Sequence, residues 1–301
     1  MASLRVIAVD LGGTKILAGL LDRNGTVHRR CELPTPTGSQ EALLRRIEEA
    51  VAQVFAEGVG AIGCGIPSVL DRRTGVSLDS TNIPLAGASL GERLIARFGV
   101  PAGVENDANA AALAEWKRGA GVGVDDLILL TLGTGVGGGV VLDGSLFRGW
   151  AELGHTLVVA DGPPCQGTCT GRGHLEAVAS GNAADRAAEA LWGPGSTAEQ
   201  LVQRAGGGDG AALEALAAIG RLLGAGIGSL VNVFGAELVI VGGGFGSAAA
   251  EFLFEPALEV ARREALPPAR KGLRIVEAAL GPDAGLIGAG LVALAALDGE
   301  R

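Results

Sequence analysis

Residues 5–11, "RVIAVDL", form an apolar run that ends in a carboxylate and a glycine turn; a second apolar run, "KILAGLLD", follows. Short apolar runs bounded by glycine turns predict buried strands, so residues 5–27 read as strand, turn, strand, turn, strand. Over 39–57 the period changes: Leu43, Leu44, Ile47, Val51 and Val54 recur at helical spacing on one face. "GVGAIGCGIP" predicts a buried strand ending at Pro67, "GASLGERLIARFG" a helix, "PAGVEND" a short strand and "ANAAALAEWKRGAG" a helix. The opening layout then returns in "LILLTLGTGVGGGVVLDGSLF". Without a gap, Asp10 to Asp22 overlays Thr131 to Asp143, with Leu11 on Leu132 and Gly12 on Gly133. Residues 182–232 are predicted helical, broken at "GPGS" and "AGGGDG". "AELVIVGGGFGS" is a strand running into a glycine turn, "LRIVEAAL" a strand, and "AGLIGAGLVALAAL" a closing helix. Two strand-turn-strand units predict two similar lobes, each a sheet flanked by helices.

Length and composition narrow the function classes. A chain of 301 residues that is 48 % hydrophobic can fill two cores and is not a disordered protein. A net charge of -9 argues against a nucleic-acid binder, which presents a basic face. The start, "MASLRVIAVDLGG", has no signal-peptide pattern, and no apolar stretch is expected to reach membrane-spanning length. Four cysteines without secretory context imply a reducing compartment, with the cytoplasm as the default, and thiols or metal ligands in place of disulfides.

Three glycine turns follow apolar strands: "DLGGTK", "TLGTGVGG" and "VGGGFGS". Glycine lets successive N–H groups approach a phosphate, and a carboxylate at a strand end, as at Asp10, can orient a metal-bound water or Mg²⁺. One such turn is compatible with a plain hairpin; three at strand ends favour phosphate binding. Gly133, Gly135 and Gly138 fit G-x-G-x-x-G, but a strand and not a helix is predicted after them, which argues against a dinucleotide site there. "VIVGGGFGSAAAEF" does run from strand to helix and keeps an NAD-dependent oxidoreductase open as an alternative. Asn106 and Asp107 fall between a strand and a helix. They suit N-capping, and equally a carboxylate poised to take a proton from a hydroxyl. Cysteine and histidine are scarce, yet Cys165, Cys169 and His174 lie within "CQGTCTGRGHLE", with His155 ten residues upstream of its start. Cys31 and Cys64 lie in apolar strands and read as core thiols.

Taken together, "DLGGTK", "ENDANAAALAE", "LGTGVGGGVVLDG", "ELGH", the Cys/His run closing in "GHLE" and "NVFGAELVIVGGG" resemble the ROK family of sugar kinases and repressors, in order and over nearly the whole chain. The resemblance implies an α/β, two-lobed actin-like ATPase fold related to ribonuclease H, with sugar and ATP in the cleft. The lobes are expected at 1–118 and 119–283, with a closing helix at 284–301 packing back on the first. The resemblance makes Asp107 the catalytic base and Asn106, Glu152, His155 and Glu176 sugar ligands, with Gly65 and Asn82 in loops lining the sugar pocket. It assigns Asp10, Gly12, Gly13, Thr14 and Lys15 to the first phosphate motif and Gly133, Thr134 and Gly135 to the second. Gly242, Gly243 and Gly244 fall where the family holds adenosine.

The family also implies a structural Zn²⁺ that knits the loop carrying Glu176, and a homodimer or higher homo-oligomer. Its usual pattern resembles Cys-x-Cys-x(4)-Cys; this chain has Cys165-x(3)-Cys169-x(4)-His174, so His155, Cys165, Cys169 and His174 would form a Cys₂His₂ site. The expected activity is ATP-dependent phosphorylation of the 6-hydroxyl of a hexose, with glucose favoured and N-acetylglucosamine, N-acetylmannosamine or fructose as alternatives. A repressor is disfavoured, because the "DLGGT" strand begins within ten residues of the start and leaves no room for a DNA-binding segment ahead of it.

Overall fold

A computed structural model describes residues 4–80 and 83–299. The chain divides into two compact units, Met1–Ala114 with Arg148–Trp150 and Pro282–Arg301, and Glu115–Phe147 with Ala151–Gly281.

The first unit holds β1 (Arg5–Leu11), β2 (Lys15–Asp22), β3 (Val27–Pro34), α1 (Gln40–Val54), β4 (Val59–Ile66), the two-stranded β5 (Val69–Leu70) and β6 (Ser77–Asp79), α2 (Leu90–Phe98) and β7 (Ala102–Asn106). α3 (Asp107–Arg118) follows directly. The second unit runs through β8 (Leu127–Leu132), β9 (Val136–Leu142), β10 (Ser145–Leu146), α4 (Leu175–Ala179), α5 (Gly181–Trp192), α6 (Ala198–Gly206) and α7 (Gly210–Phe234). It continues with β11 (Leu238–Gly242), α8 (Gly244–Ala248), α9 (Ala250–Glu264), α10 (Pro267–Arg270) and β12 (Arg274–Glu277). α11 (Ala284–Asp298) then belongs to the first unit.

The two sheets have the same plan. Their orders are β3-β2-β1-β4-β7 and β10-β9-β8-β11-β12. In each, an antiparallel meander of three strands is extended by two strands parallel to the first. The repeat read from the sequence is therefore a structural duplication, but the gapless overlay fails at the turn. Leu11 pairs with Ile16, whereas Leu132 pairs with Val136, so the second hairpin turn is one residue shorter. A one-residue slip in a strand exchanges its faces, so the overlay holds along β1 and β8 and is out of register along β2 and β9.

Burial on both faces explains the unbroken apolar runs of β1, β2 and β4. Along β1, Ile7, Val9 and Leu11 join the core that includes Leu43, Ile47 and Val51 of α1, while Val6 and Ala8 pack with Leu286, Ala289 and Ala293 of α11. Gly63 lets α11 lie this close: a Cβ there would overlap the backbone of Ala289 and Ala293. The second sheet shares one large core with α4 through α9, including Leu130, Leu175, Leu223 and Leu253.

The expectation that no apolar stretch reaches spanning length is corrected: α7 and the segment Gly281–Asp298 are long and apolar enough to cross a membrane. Alanine and glycine spread their hydrophobicity thinly. Both helices pack into their units: Gly220 and Gly224 of α7 lie against the backbone of Leu253 and Ala257 in α9, and α11 covers the first sheet. Cys31 and Cys64 are buried core thiols as expected, and burial pushes Cys64 up to about 12, far from reactive.

Candidate active site and metal centre

In the first unit the parallel strands bring their carboxyl ends into line. Asp10 pairs across to Gly65, and Gly65 to Glu105. Ligands of open α/β sheets bind beyond such strand ends. Gly65, expected in a loop, lies inside β4, with its α-carbon facing Ala110 and Asp107 at the start of α3. Asn82 lies outside the described residues.

Asn106 ends β7 and caps α3: its Oδ1 accepts from the N–H of Ala108 (3.0 Å) and Asn109 (3.1 Å). Asp107 Oδ1 accepts from Ala108 N (2.8 Å), and the backbone N–H of Asp107 itself also favours the carboxylate. Burial pushes the Asp107 carboxyl above the ordinary range. Asp10 is raised to about 6, first by burial and then by the negative charge of Asp107, with Lys15 opposing. No described donor satisfies the Asp10 carboxylate, which sits against Gly285 at the start of α11. A partly buried, unpartnered carboxylate beside a glycine turn suits a divalent cation carried by a polyphosphate.

The turn after β1 is braced from inside. Gly12 O accepts from Thr35 Oγ1 (2.8 Å), Thr14 O from Thr35 N (3.0 Å), and Lys15 O from Gly12 N (2.8 Å). In a trans peptide the N–H points opposite the carbonyl. Pinning the carbonyls of Gly12 and Thr14 therefore aims the N–H groups of Gly13 and Lys15 outward, where Gly13 and Thr14 are exposed. Lys15 Nζ pairs with Glu32 (3.3 Å) at the surface.

The second unit repeats the device. Gly133 O accepts from Gly181 N (2.7 Å) and Thr134 O from Gln166 Nε2 (3.2 Å), which aims the N–H groups of Thr134 and Gly135 outward. A strand, β9, follows this turn as predicted, so the local G-x-G-x-x-G is no dinucleotide fingerprint. Gly242 pairs with Thr131, placing Gly243 and Gly244 beside the β8 turn. Gly243 has φ +85° and abuts the Leu132 backbone, a position only glycine fills, and Gly244 faces open space. Glu176, in the first turn of α4, is wedged against Gly135, where a Cβ would overlap its carboxylate. Its Oε2 accepts from Val136 N (3.1 Å) and its Oε1 lies 3.7 Å from Cys165 Sγ.

His155, Cys165, Cys169 and His174 converge, with their ligand atoms all within 4.8 Å of one another. Nδ1 of His155 lies 3.4 Å from Nδ1 of His174, Cys165 Sγ lies 3.6 Å from the former, and Cys169 Sγ lies 3.6 Å from the latter. Tetrahedral zinc at ordinary bond lengths requires about 3.3 Å between two nitrogens and about 3.6 Å between nitrogen and sulfur. The donor set and its spacing therefore fit Zn²⁺. Burial, Cys169 and the Glu176 carboxylate push the Cys165 thiol up to about 11, and a divalent cation reverses that preference. Because both Nδ1 atoms point inward, His155 keeps Nε2 for another partner. Exposed Glu152 opens the short 3₁₀ turn that carries His155.

The sequence pattern of the ROK family matches residues 6–296. The chain belongs to the ROK family. It is 36 % identical to the glucokinase of Thermotoga maritima, over 96 % of this chain and 97 % of that protein. It is 32 % identical to the N-acetylmannosamine kinase of Salmonella typhimurium, over 96 % and 98 %. The structure of a ROK glucokinase from Streptomyces griseus in complex with glucose and AMPPNP is similar with a TM-score of 0.82 and 35 % identity, over 96 % of this chain and 99 % of that one. The duplicated sheets are those of the two-lobed actin-like ATPase fold.

Several residues of this ROK chain escaped sequence reading. Glu105 Oε1 accepts from Asn106 N (2.9 Å) and Asn109 Nδ2 (3.0 Å), so it fixes the strand-to-helix corner that carries Asp107. Its place in "END" was the available signal. Thr35 and Gln166 brace the two turns from distant positions, and nothing in the sequence marks either one. Fully buried Glu115 accepts from the N–H groups of Ala120, Ala279 and Leu280. Carboxylates so placed look like helix-surface charges in a sequence.

Proposed function

We propose that this chain is an ATP-dependent hexokinase-type phosphotransferase that converts glucose to glucose 6-phosphate. Asp107 carries the reading. It is a carboxylate at a strand-to-helix corner, raised by burial toward the pH at which a general base works best. Asp107 takes the proton of the 6-hydroxyl; the oxygen bonds to the γ-phosphorus of ATP as the bond to ADP breaks. The outward amides of the Gly12–Lys15 and Gly133–Gly135 turns receive phosphate oxygens, Asp10 would hold Mg²⁺ that travels with the nucleotide, and the turn of Gly242, Gly243 and Gly244 takes adenosine, with open space at Gly244. Mg²⁺ supplies charge neutralisation of the transferred phosphoryl group. Asn106, Glu152, His155 through Nε2, and Glu176 bind sugar hydroxyls. His155, Cys165, Cys169 and His174 would hold Zn²⁺, which fixes the orientation of His155 and Glu176 and takes no part in the chemistry.

Five polar groups suit a pyranose whose every hydroxyl needs a partner once desolvated. The Thermotoga and Streptomyces likenesses favour glucose, and the Salmonella likeness keeps an acetamido sugar as the second reading. The test is competition among glucose, N-acetylglucosamine, N-acetylmannosamine and fructose, all sub-saturating, with ATP and chromatographic separation of products. Glucose is expected to lead in kcat/KM by at least about tenfold, equal to about 1.4 kcal/mol. A dominant acetamido sugar phosphate would overturn glucose and leave the kinase standing.

A further inference from the structure

The metal loop and the second phosphate turn share one side chain. Gln166 lies between the two cysteines and turns inward. Its Nε2 donates to Thr134 O (3.2 Å) and to Ser180 Oγ (3.3 Å), while its Oε1 accepts from Asn182 Nδ2. Ser180 in turn caps α5 by accepting from Ala183 N (3.2 Å), and the next residue, Gly181, donates to Gly133 O (2.7 Å). The turn is thus clamped on two carbonyls, one by the start of α5 and one by Gln166.

The two clamps differ in what holds them. Gly181 is carried by a regular helix, whereas Gln166 is carried by an irregular loop whose local backbone bonds are few: Gly173 N to Pro163 O (2.8 Å), Cys165 N to Gly171 O (2.9 Å) and Cys169 N to Gln166 O (3.2 Å). The side chains of Cys165 and Cys169 end in the metal cluster, so a bound metal restrains the backbone on both sides of Gln166. Releasing Thr134 O frees the peptide between Thr134 and Gly135 to rotate, and the Gly135 N–H rotates with it. Glycine at 135 lowers the steric barrier to that rotation.

We propose that Gln166 is a positioning residue through which the metal-bound loop orients the Gly135 amide toward the nucleotide phosphates, so that nucleotide affinity depends on the metal. This rests on the reading of Gly133–Gly135 as a phosphate turn. Glucose affinity is set by other residues and should not follow Gln166.

Gln166→Glu keeps the shape and the acceptor for Asn182 but cannot donate to Thr134 O. Loss of one such hydrogen bond should weaken ATP binding by about three- to tenfold, measured by calorimetry, with zinc content, glucose affinity and kcat close to wild type. Chelating the metal from the wild type should raise the ATP Kd, and chelation in the variant should add less than it does in the wild type. Gln166→Ala supplies the same measurements if the carboxylate variant does not fold. An ATP Kd within twofold of wild type overturns the proposal. So does a parallel loss of zinc, glucose affinity and ATP affinity, which marks general collapse of the loop, and so does a chelation effect of equal size in wild type and variant. A wild-type chain that binds no ATP overturns the kinase reading, and the proposal with it.

Discussion

Asp10→Asn tests the electrostatics of the carboxyl end of β1. The folded chain keeps the Asp10 proton up to about pH 6, against 3.8 for an ordinary aspartate, because burial and the charge of Asp107 both oppose ionisation. A proton held more tightly in the folded state stabilises it below the unfolded pKa, and that contribution is lost as pH rises through the folded pKa. At pH 7.5 the ionised carboxylate therefore costs about 3 kcal/mol that it does not cost well below the unfolded pKa. Asparagine cannot ionise. The variant should gain about 2–3 kcal/mol over wild type at pH 7.5, with the gain fading to near zero at about pH 3 and most of the change between about pH 4 and 6. Urea unfolding of both proteins at half-unit pH steps, without nucleotide or divalent cation, reads the difference directly. Mg²⁺ with a nucleotide should shrink the gap by stabilising the wild-type carboxylate. A difference that is flat with pH, or that grows on acidification, would refute the assignment of Asp10 as an uncompensated carboxylate.

Asp107→Asn should keep the fold and ATP binding while kcat falls by about three powers of ten or more, since the amide cannot accept the hydroxyl proton; more than a tenth of wild-type kcat would make Asp107 only a cap. Purified protein should carry about one zinc per chain. Cys169→Ser should release it and raise KM for the sugar, and metal-free protein with full activity would rule out the zinc knot. Glu115→Ala should destabilise the chain by about 2–3 kcal/mol in urea unfolding, because it removes the one buried carboxylate that three N–H groups share; a change under about 1 kcal/mol would show that water replaces the carboxylate.

The local pattern of residues was enough for the long strands and most long helices, and it left out β5, β6, α8 and α10. The α1 face from Leu43 to Val54 and the breaks at "GPGS" and "AGGGDG" are properties of short windows, where side-chain periodicity and turn chemistry act locally. The candidate site was legible where its residues lie in one window: Asn106 and Asp107 at one corner, and the Cys/His run. Departure from the family's cysteine spacing did not disperse the four candidate ligands, because the loop folds Cys165, Cys169 and His174 back toward His155.

What the tertiary structure decided are the long-range pairings. The one-residue difference between the β1–β2 and β8–β9 turns is set by strand register, which a gapless overlay cannot see. Gly65 became a packing position and not a loop, because β4 runs on past it beneath the start of α3. Apolar length in α7 and α11 is balanced between core helix and membrane helix until α9 and the first sheet cover them. Thr35, Gln166 and Glu115 look like surface polar residues in sequence. Each becomes essential to a turn only when distant segments bring backbone carbonyls or N–H groups within hydrogen-bond reach, since a buried polar group must find its partner wherever the fold supplies one.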